Sequence, residues 1–467
     1  MTDSSKEVSE LGWEQTLRAI ISETEAAELE LGLHSNDAGG RKETGSFYTP
    51  PDVADHVWDQ FFRVHQISGA EDLRAFIDQT HLVEPSAGSG IFVFTFLRKA
   101  LQIGLRTEEL QAISYSIVDL NFAALRFVRQ QITRLESDLT LKLDAFKLAQ
   151  ADFLEWIQTQ SFTRVAFVGN PPFVTNPKGS RWRNVFADFL AAMLDVTVEE
   201  KAVGLILPMS ICFSRDYHQL RQKIFEANNG ISAASYDNIP DCLFKSGKPE
   251  SDNSNKANSQ RCTVLMLGGT DVRRREATAL MRWSVRERAQ VLGTAPRFES
   301  FGEYNFDGQI PRPSCGGLMK YLQRAQGVRQ LGDFLARSAD PTFNVAAVAR
   351  NFIGIREPAK RDAASIPISG RSEDDAMIAL QILASPLFYE YWRSLGDGFH
   401  VTRELVNKFP VADGVYRLCA ERVSATRRLW SRREIFAREK LNCGKRVRSY
   451  YFPSDFNYLA AELNSFA

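Results

Sequence analysis

The chain is expected to fold as an α/β protein with a mostly parallel sheet, followed by a C-terminal α+β region. Three observations predict this. A short apolar strand runs through a Gly-rich turn into an apolar helix at Leu82–Phe92. A second apolar strand, Ile113–Val118, ends at an acid, Asp119, as strands of nucleotide-binding α/β units do. After about residue 270 the pattern changes to short apolar runs broken by Gly and Pro, with frequent Arg.

From the N-terminus, the spacing of Trp13, Leu17 and Ile20 predicts one amphipathic helix, followed by a polar Gly-containing loop from Ser35 to Lys42. The segment Leu82-Val83-Glu84-Pro85-Ser86-Ala87-Gly88-Ser89-Gly90 then has the form of a nucleotide-type ligand loop. Gly88 and Gly90 permit positive φ and bring a ligand close to the backbone, and the following helix offers its first N–H groups. No Gly-Lys-Ser/Thr follows, so this is not a P-loop, and the third glycine of the dinucleotide fingerprint is missing. Glu84, just ahead of the glycines, suits a ligand carrying an ammonium group, such as the methionine part of S-adenosylmethionine. Asp119 stands where a ribose diol is held. Asp152 is placed to accept from an adenine amino group. The alternative for both acids is helix N-capping.

Phe167-Val168-Gly169-Asn170-Pro171-Pro172-Phe173 is an apolar strand that stops at an amide, two prolines and a ring. These residues suit methylation of an amino nitrogen on a planar ring. Such a nitrogen has its lone pair spread into the ring, and it attacks an electrophile only when acceptors hold its hydrogens and draw it toward tetrahedral geometry. Asn170 supplies one acceptor through its side-chain oxygen, and the carbonyl of Pro171 in a stiff Pro-Pro turn supplies a second. Phe173 would stack on the ring. Further on, Val185–Leu194 has helical spacing, Ala202–Pro208 reads as a buried strand, Leu220–Ile224 begins a helix and Cys262–Leu267 is another strand. Gly247–Asn258 has little to bury and reads as a loop.

Arg273, Arg274, Arg275, Arg286, Arg288, Arg350, Arg356 and Arg361 mark the next region. Arg is the common reader of guanine in the major groove and equally an ordinary surface residue. The tail from Tyr416 to Arg448 is the densest cationic stretch, with Arg427, Arg428, Arg432 and Arg433 set among Leu429, Trp430, Ile435 and Phe436. That spacing predicts a helix that shows Arg to phosphates, which would make binding salt-sensitive. The alternative is a helix balanced by its own acids, Arg427 with Glu434 and Arg432 with Glu439. The 467 residues carry no net charge, so any attraction to nucleic acid must come from such local clusters. Six cysteines without CxxC spacing argue against a structural zinc or a disulfide framework, and no metal is expected. No secretory signal or apolar run of about 18 residues is seen, so a cytoplasmic protein with no membrane partner is expected.

Taken in order, Thr44-Gly45-Ser46-Phe47-Tyr48-Thr49-Pro50, Val83-Glu84-Pro85-Ser86-Ala87-Gly88-Ser89-Gly90 and Asn170-Pro171-Pro172-Phe173 resemble the gamma-class DNA adenine-N6 methyltransferases of restriction-modification systems. The resemblance implies a Rossmann-like S-adenosylmethionine-dependent methyltransferase domain acting on double-stranded DNA. It implies that Tyr48, Thr49 and Pro50 close over the methionine end of the cofactor, with Glu84, Pro85, Ser86, Ala87, Gly88 and Gly90 forming its loop. Asp119 falls to the ribose, Asp152 and Phe153 to the cofactor adenine, and Asn170, Pro171, Pro172 and Phe173 to the target base. Ile239–Phe244 resembles the loop that places an aromatic on the far face of that base, and Phe244 would be that ring, the alternative being a core Phe. Residues 1–43 are then an N-terminal helical segment, 44–270 the catalytic domain, 271–410 a target-recognition domain and 411–467 a basic helical region. Gly396–Pro410 resembles the segment by which recognition domains of fused enzymes close. Any restriction or specificity subunit would be on another chain. Two other readings stay open: an RNA or protein-glutamine methyltransferase, and a DNA-binding scaffold subunit active only in a larger complex.

Overall fold

Strands covered on both faces read as continuous apolar runs rather than alternation, and the buried strands here are of that kind. The computed structural model describes residues 4–34, 49–227, 229–244, 260–302, 306–314, 316–325, 327–338, 340–358, 364–442, 445–452 and 454–464. The chain divides into two compact units, residues 1–276 with 281–297, and residues 277–280 with 298–467. The expected boundary near residue 270 therefore moves to about 297, because the chain returns to the first unit after 281.

In the first unit the elements run α1 (Ser4–His34), α2 (Pro51–His65), α3 (Ala70–Ile77), β1 (His81–Glu84), α4 (Ile91–Gln102), β2 (Tyr115–Asp119), α5 (Phe122–Asp138), β3 (Phe146–Gln150), α6 (Phe153–Trp156), β4 (Arg164–Gly169), α7 (Val185–Asp195), β5 (Glu200–Pro208), α8 (His218–Glu226), β6 (Ile231–Tyr236) and β7 (Cys262–Leu267), with β8 (Arg275–Met281) divided between the units and α9 (Arg288–Gly293) after it. Within the first unit the strands of the sheet run in the order β3-β2-β1-β4-β5-β7-β6, with the divided strand β8 next to β6. Strands β3, β2, β1, β4 and β5 are parallel, and β7 is antiparallel to both its neighbours. The order reverses direction between β1 and β4, and it is at the carboxyl ends of strands flanking such a reversal that open α/β sheets carry their ligands. Glu84 ends β1 and Gly169 ends β4.

Helix α2 seals one face of the sheet with Trp58, Phe61 and Phe62, all buried. The Trp58 ring lies 4.7 Å from that of Phe96 in α4, and its Nε1 donates to the Phe92 carbonyl at 2.9 Å. Helix α1 carries the expected apolar stripe of Trp13, Leu17 and Ile20, each buried. It belongs to the first unit rather than standing apart: Arg134 of α5 donates to Glu23 at 2.7 Å, and Thr16 Oγ1 donates to Asp138 at 3.3 Å. Asn121 caps α5 by accepting from the amides of Ala123 and Ala124, a contribution of about 1 kcal/mol.

His65 closes α2 against Phe61, with ring centroids 4.3 Å apart. Burial, with Arg274 nearby, holds its imidazole at about 4 instead of 6.5. Between these values the unfolded chain binds the proton and the folded chain does not, so this stabilisation is complete above about pH 6.5 and is lost as the pH falls toward 4. Replacing His65 with Phe is expected to reduce the loss of stability between pH 7 and pH 5 by about 2 kcal/mol. Urea titrations of both proteins at the two pH values measure this, and equal losses would contradict it.

The second unit, considered by itself, contains β9 (Glu299–Ser300) and a five-stranded antiparallel sheet of order β12-β10-β11-β14-β13, from β10 (Phe343–Ala346), β11 (Ile355–Arg356), β12 (Ser365–Ile368), β13 (Ala437–Asn442) and β14 (Lys445–Tyr450). Its helices are α10 (Gly316–Arg324), α11 (Glu373–Leu383), α12 (Pro386–Leu395), α13 (Arg403–Lys408), α14 (Asp413–Glu421), α15 (Val423–Ser431) and α16 (Tyr458–Asn464). Ser372 starts α11 with a reciprocal capping box to Asp375. The regions expected as 271–410 and 411–467 thus share one unit. The basic tail is α-helical only to Ser431, passes through a 3-10 turn at Arg433–Phe436 and then enters the β13-β14 hairpin, where Arg438 faces Ser449 and Glu439 faces Arg448. Sequence spacing favoured a helix here because Leu429, Trp430, Ile435 and Phe436 mimic its period; cross-strand pairing of 437–442 with 445–450 prevails.

Candidate active site

The Gly-rich loop is held from both sides. The Ala87 amide donates to the Val118 carbonyl at 3.0 Å and the Gly90 amide to Ala87 at 2.8 Å. Gly88 and Gly90 have φ of 53° and 84°, as the turn requires. A Cβ on Gly90 would lie 3.0 Å from the Val128 side chain of α5. Glycine at the end of β4 has the same use: a Cβ on Gly169 would lie 3.2 Å from Pro85. Strand β4 and the loop after β1 are therefore in close contact, with Pro85 packed against Gly169 and Glu84 wholly buried. Ser86 and Ala87 complete the turn, Ala87 being buried.

Asp119 organises the opposite edge. One carboxylate oxygen accepts the Gly88 amide at 2.8 Å and the other the Asn121 amide at 2.8 Å. Burial pushes its carboxyl above the ordinary value, and the backbone N–H donors oppose this. Asn121, not Asp119, caps the following helix. Asp152, by contrast, is an N-cap: it accepts from the Leu154 amide at 2.7 Å at the start of α6. Phe153 is buried, stacked on Phe189 with centroids 4.8 Å apart and edge-on to Phe167.

At the end of β4, Asn170 is half-buried and its amide nitrogen donates to Thr49 Oγ1 at 3.1 Å. Thr49 is buried just ahead of Pro50, whose carbonyl receives the first amides of α2, from Val53 and Ala54, at 3.0 and 3.1 Å. The carboxamide is thus held through its nitrogen, and its oxygen, on the other side of the planar group, is buried. Tyr48 lies outside the described residues, as does Gly247–Asn258. Pro171 is buried and Pro172 half-buried.

Phe173 is 8% exposed and meets two rings edge to face: Phe186 at 6.3 Å and 77°, and Phe244 at 6.0 Å and 74°. The structure thus brings Phe244 to Phe173, but not as the far wall of a sandwich. Rings that meet edge to face leave no room for a base between their faces, so a stacked base needs one of them to swing.

Sequence reasoning passed over Leu120 and Phe122. They flank Asn121 just past Asp119 and are 69% and 61% exposed, unusual for side chains so apolar. Their position next to the acid ending β2 was the available signal. Of the cationic residues, Arg427 pairs with Asp374 and lies 3.5 Å from Glu373, and Arg433 donates to Glu357 at 2.8 Å. Glu434 is taken by Arg448. These partners replace the expected pairs Arg427–Glu434 and Arg432–Glu439, because the chain turns into a hairpin after α15. Arg428 and Arg432 are exposed and make no ion pair among the described residues. Arg274 donates to the carbonyls of Val64 and Gly268, and is built into the first unit rather than a recognition surface.

No family model matches the chain, and no curated protein matches it. Among solved structures, it is similar over 56% of its length to a DrdV–DNA complex, with 13% identity, a TM-score of 0.43 and 31% of that chain covered. It is similar over 53% to the methyltransferase subunit of a type I restriction-modification system from Streptococcus thermophilus, with 16% identity, a TM-score of 0.34 and 52% of that chain covered. It is also similar over 88% to a nuclease-deletion mutant of the Type ISP restriction-modification enzyme LlaGI with a DNA substrate mimic, with 12% identity, a TM-score of 0.41 and 43% of that chain covered. The chain spans less than two thirds of the length of each. No helix among the described residues is long and apolar enough to cross a membrane.

Proposed function

We propose that this chain is a DNA methyltransferase that transfers a methyl group from S-adenosylmethionine to N6 of an adenine turned out of the duplex, in a restriction-modification or related defence system. The observation that carries the reading is the Asn170 carboxamide at the strand-order reversal, held by Thr49 and separated from Glu84 and the glycine loop only by the contact of Gly169 with Pro85. The residues present fit the cofactor. Positive-φ Gly88 and Gly90 let the methionine end approach the backbone, buried Glu84 suits its ammonium group, and Asp119 at the end of β2 suits a ribose. Exposed Leu120 and Phe122 offer apolar cover to a flat adenine. Asp152, already an N-cap, keeps its second oxygen for the amino group of that ring.

When bound, S-adenosylmethionine supplies an electrophilic methyl on a sulfonium. The chain's own residues align the acceptor. Asn170 Oδ1 and the Pro171 carbonyl hold the hydrogens of N6 and draw its lone pair out of the ring, and N6 passes one proton to solvent water after positive charge has developed. Neither a nucleophilic side chain nor a strong general base is needed, since positioning and charge stabilisation supply the rate. Turning the base out costs a few kcal/mol, which the Asn170 hydrogen bonds and stacking on Phe173 offset. Phe173→Ala is expected to raise KM for DNA by about tenfold, in keeping with about 1–3 kcal/mol per stacked base, while Phe173→Trp keeps most activity. Steady-state kinetics of the two variants check this; equal losses would contradict stacking. In the second unit, Arg428 and Arg432 contact phosphates.

Single-molecule sequencing of DNA from cells expressing this chain tests the reading. It predicts N6-methyladenine at one recurrent sequence. Unmodified DNA, with label from the cofactor appearing in RNA or in a protein amide, would replace it with one of the other substrate classes.

A further inference from the structure

The sequence grouped Arg288 with arginines of a recognition domain. In the structure it belongs to the first unit, and its side chain is only 12% exposed. A guanidinium has five N–H bonds, and here five acceptor contacts meet them. Nε donates to Asp52 Oδ2 at 2.7 Å and Nη2 to Asp52 Oδ1 at 3.1 Å. Nη2 also donates to the Leu243 carbonyl at 2.8 Å, and Nη1 to the Cys242 carbonyl at 2.7 Å and Asp241 Oδ2 at 3.4 Å. The acceptors come from two segments that border the crevice from opposite directions in sequence. Asp52 lies in the first turn of α2, directly behind the Thr49–Pro50 pair that orients Asn170. Asp241, Cys242 and Leu243 lead into Phe244, the ring set edge-on against Phe173. Asp241 is fixed in turn by Trp283 Nε1 at 3.0 Å.

We propose that Arg288 is a positioning residue that clasps these two borders, so that the segment behind Thr49 and the loop carrying Phe244 move as one. A bidentate Arg–carboxylate pair whose guanidinium makes further bonds to two carbonyls is stiff, and a Lys could not reproduce it. The inference rests on the reading of the crevice given above and adds a consequence: engagement of the cofactor at the Thr-Pro segment is passed to the ring that admits the base.

Amide hydrogen exchange on the full chain tests it, using Asp52→Asn, which alters a part-exposed side chain, and Arg288→Met. Asp52→Asn is expected to speed exchange at residues 241–244 at least fivefold, although it touches none of them, with the buried strand β5 unchanged. Arg288→Met should speed both 52–56 and 241–244. Unchanged exchange at 241–244 in Asp52→Asn overturns the clasp, and this variant decides alone if Arg288→Met fails to fold. Added S-adenosylmethionine should slow both segments in the wild type but only 52–56 in Arg288→Met; slowing of both in that variant also overturns the coupling. If S-adenosylmethionine slows neither segment in any protein while Asp52→Asn still loosens 241–244, the clasp is supported and the cofactor reading is the one that fails.

Discussion

Asn170→Ala is expected to lower methyl transfer by a factor of about 100 to 1000 while leaving S-adenosylmethionine affinity within about twofold, the scale seen when one preorganised polar group aimed at developing charge is removed. The reason is geometric. Asn170 follows β4 at the strand-order reversal, and its nitrogen is already bonded to Thr49, so the amide is set before a substrate arrives and no rotamer search is needed during reaction. Removing it withdraws one of two acceptors from the amino group but touches neither the glycine loop nor Asp119. The fold should persist as well, since the residue is half-buried and not part of the apolar core. Calorimetric cofactor titration beside single-turnover transfer separates the two effects. Transfer at the wild-type rate would reject the role, and parallel loss of binding and rate would move Asn170 to the cofactor side.

Asp119→Ala should act in the opposite sense, weakening the cofactor by about 30-fold or more. Hydrogen bonds to a charged group are worth about 1.5–3 kcal/mol each, and this carboxylate holds both the Gly88 amide and the Asn121 amide. Its removal releases the turn that follows β1 and frees the start of α5, so a loss of stability of about 2 kcal/mol accompanies the loss of affinity. Asp119→Asn is the discriminating control: its NH2 group confronts one of the two backbone N–H donors, so only part of the loss is recovered. Calorimetry with S-adenosylmethionine and thermal melting without it measure the two quantities. Full affinity in Asp119→Ala would show that the ribose is held elsewhere.

Much of the first unit was readable because strands β1, β2, β4 and β5 are largely buried on both faces and end at Glu84, Asp119, Gly169 and Pro208. Glu84 and Asp119 were legible as the ends of β1 and β2, and Ala202–Pro208 and Cys262–Leu267 as later strands, since unbroken apolar runs bounded by acids, Gly or Pro admit few other structures. Thr49 as the orienting partner of Asn170 was not legible: the two are 121 residues apart, and only the fold brings them together. Arg288 was misplaced for a related reason, because an arginine clasped by five acceptors and one exposed to solvent look alike in sequence. The tail was misread from Ala437 onward, where the helical spacing of apolar residues before it hid an antiparallel register set by partners still to come. Phe244 was expected as the ring on the far face of the target base; it is buried and stands edge-on to Phe173, an orientation set by packing that no motif records.

The central claim is that one crevice holds an amide aimed at an amino nitrogen beside a sulfonium donor. It is tested most directly by incubating the purified chain with S-adenosylmethionine bearing a deuterated methyl group and unmethylated duplex DNA, then identifying the labelled nucleoside by mass spectrometry. The account predicts label in N6-methyldeoxyadenosine with the wild type and about a hundredfold less with Asn170→Ala. Label in a cytosine derivative, or equal label with both proteins, would contradict it.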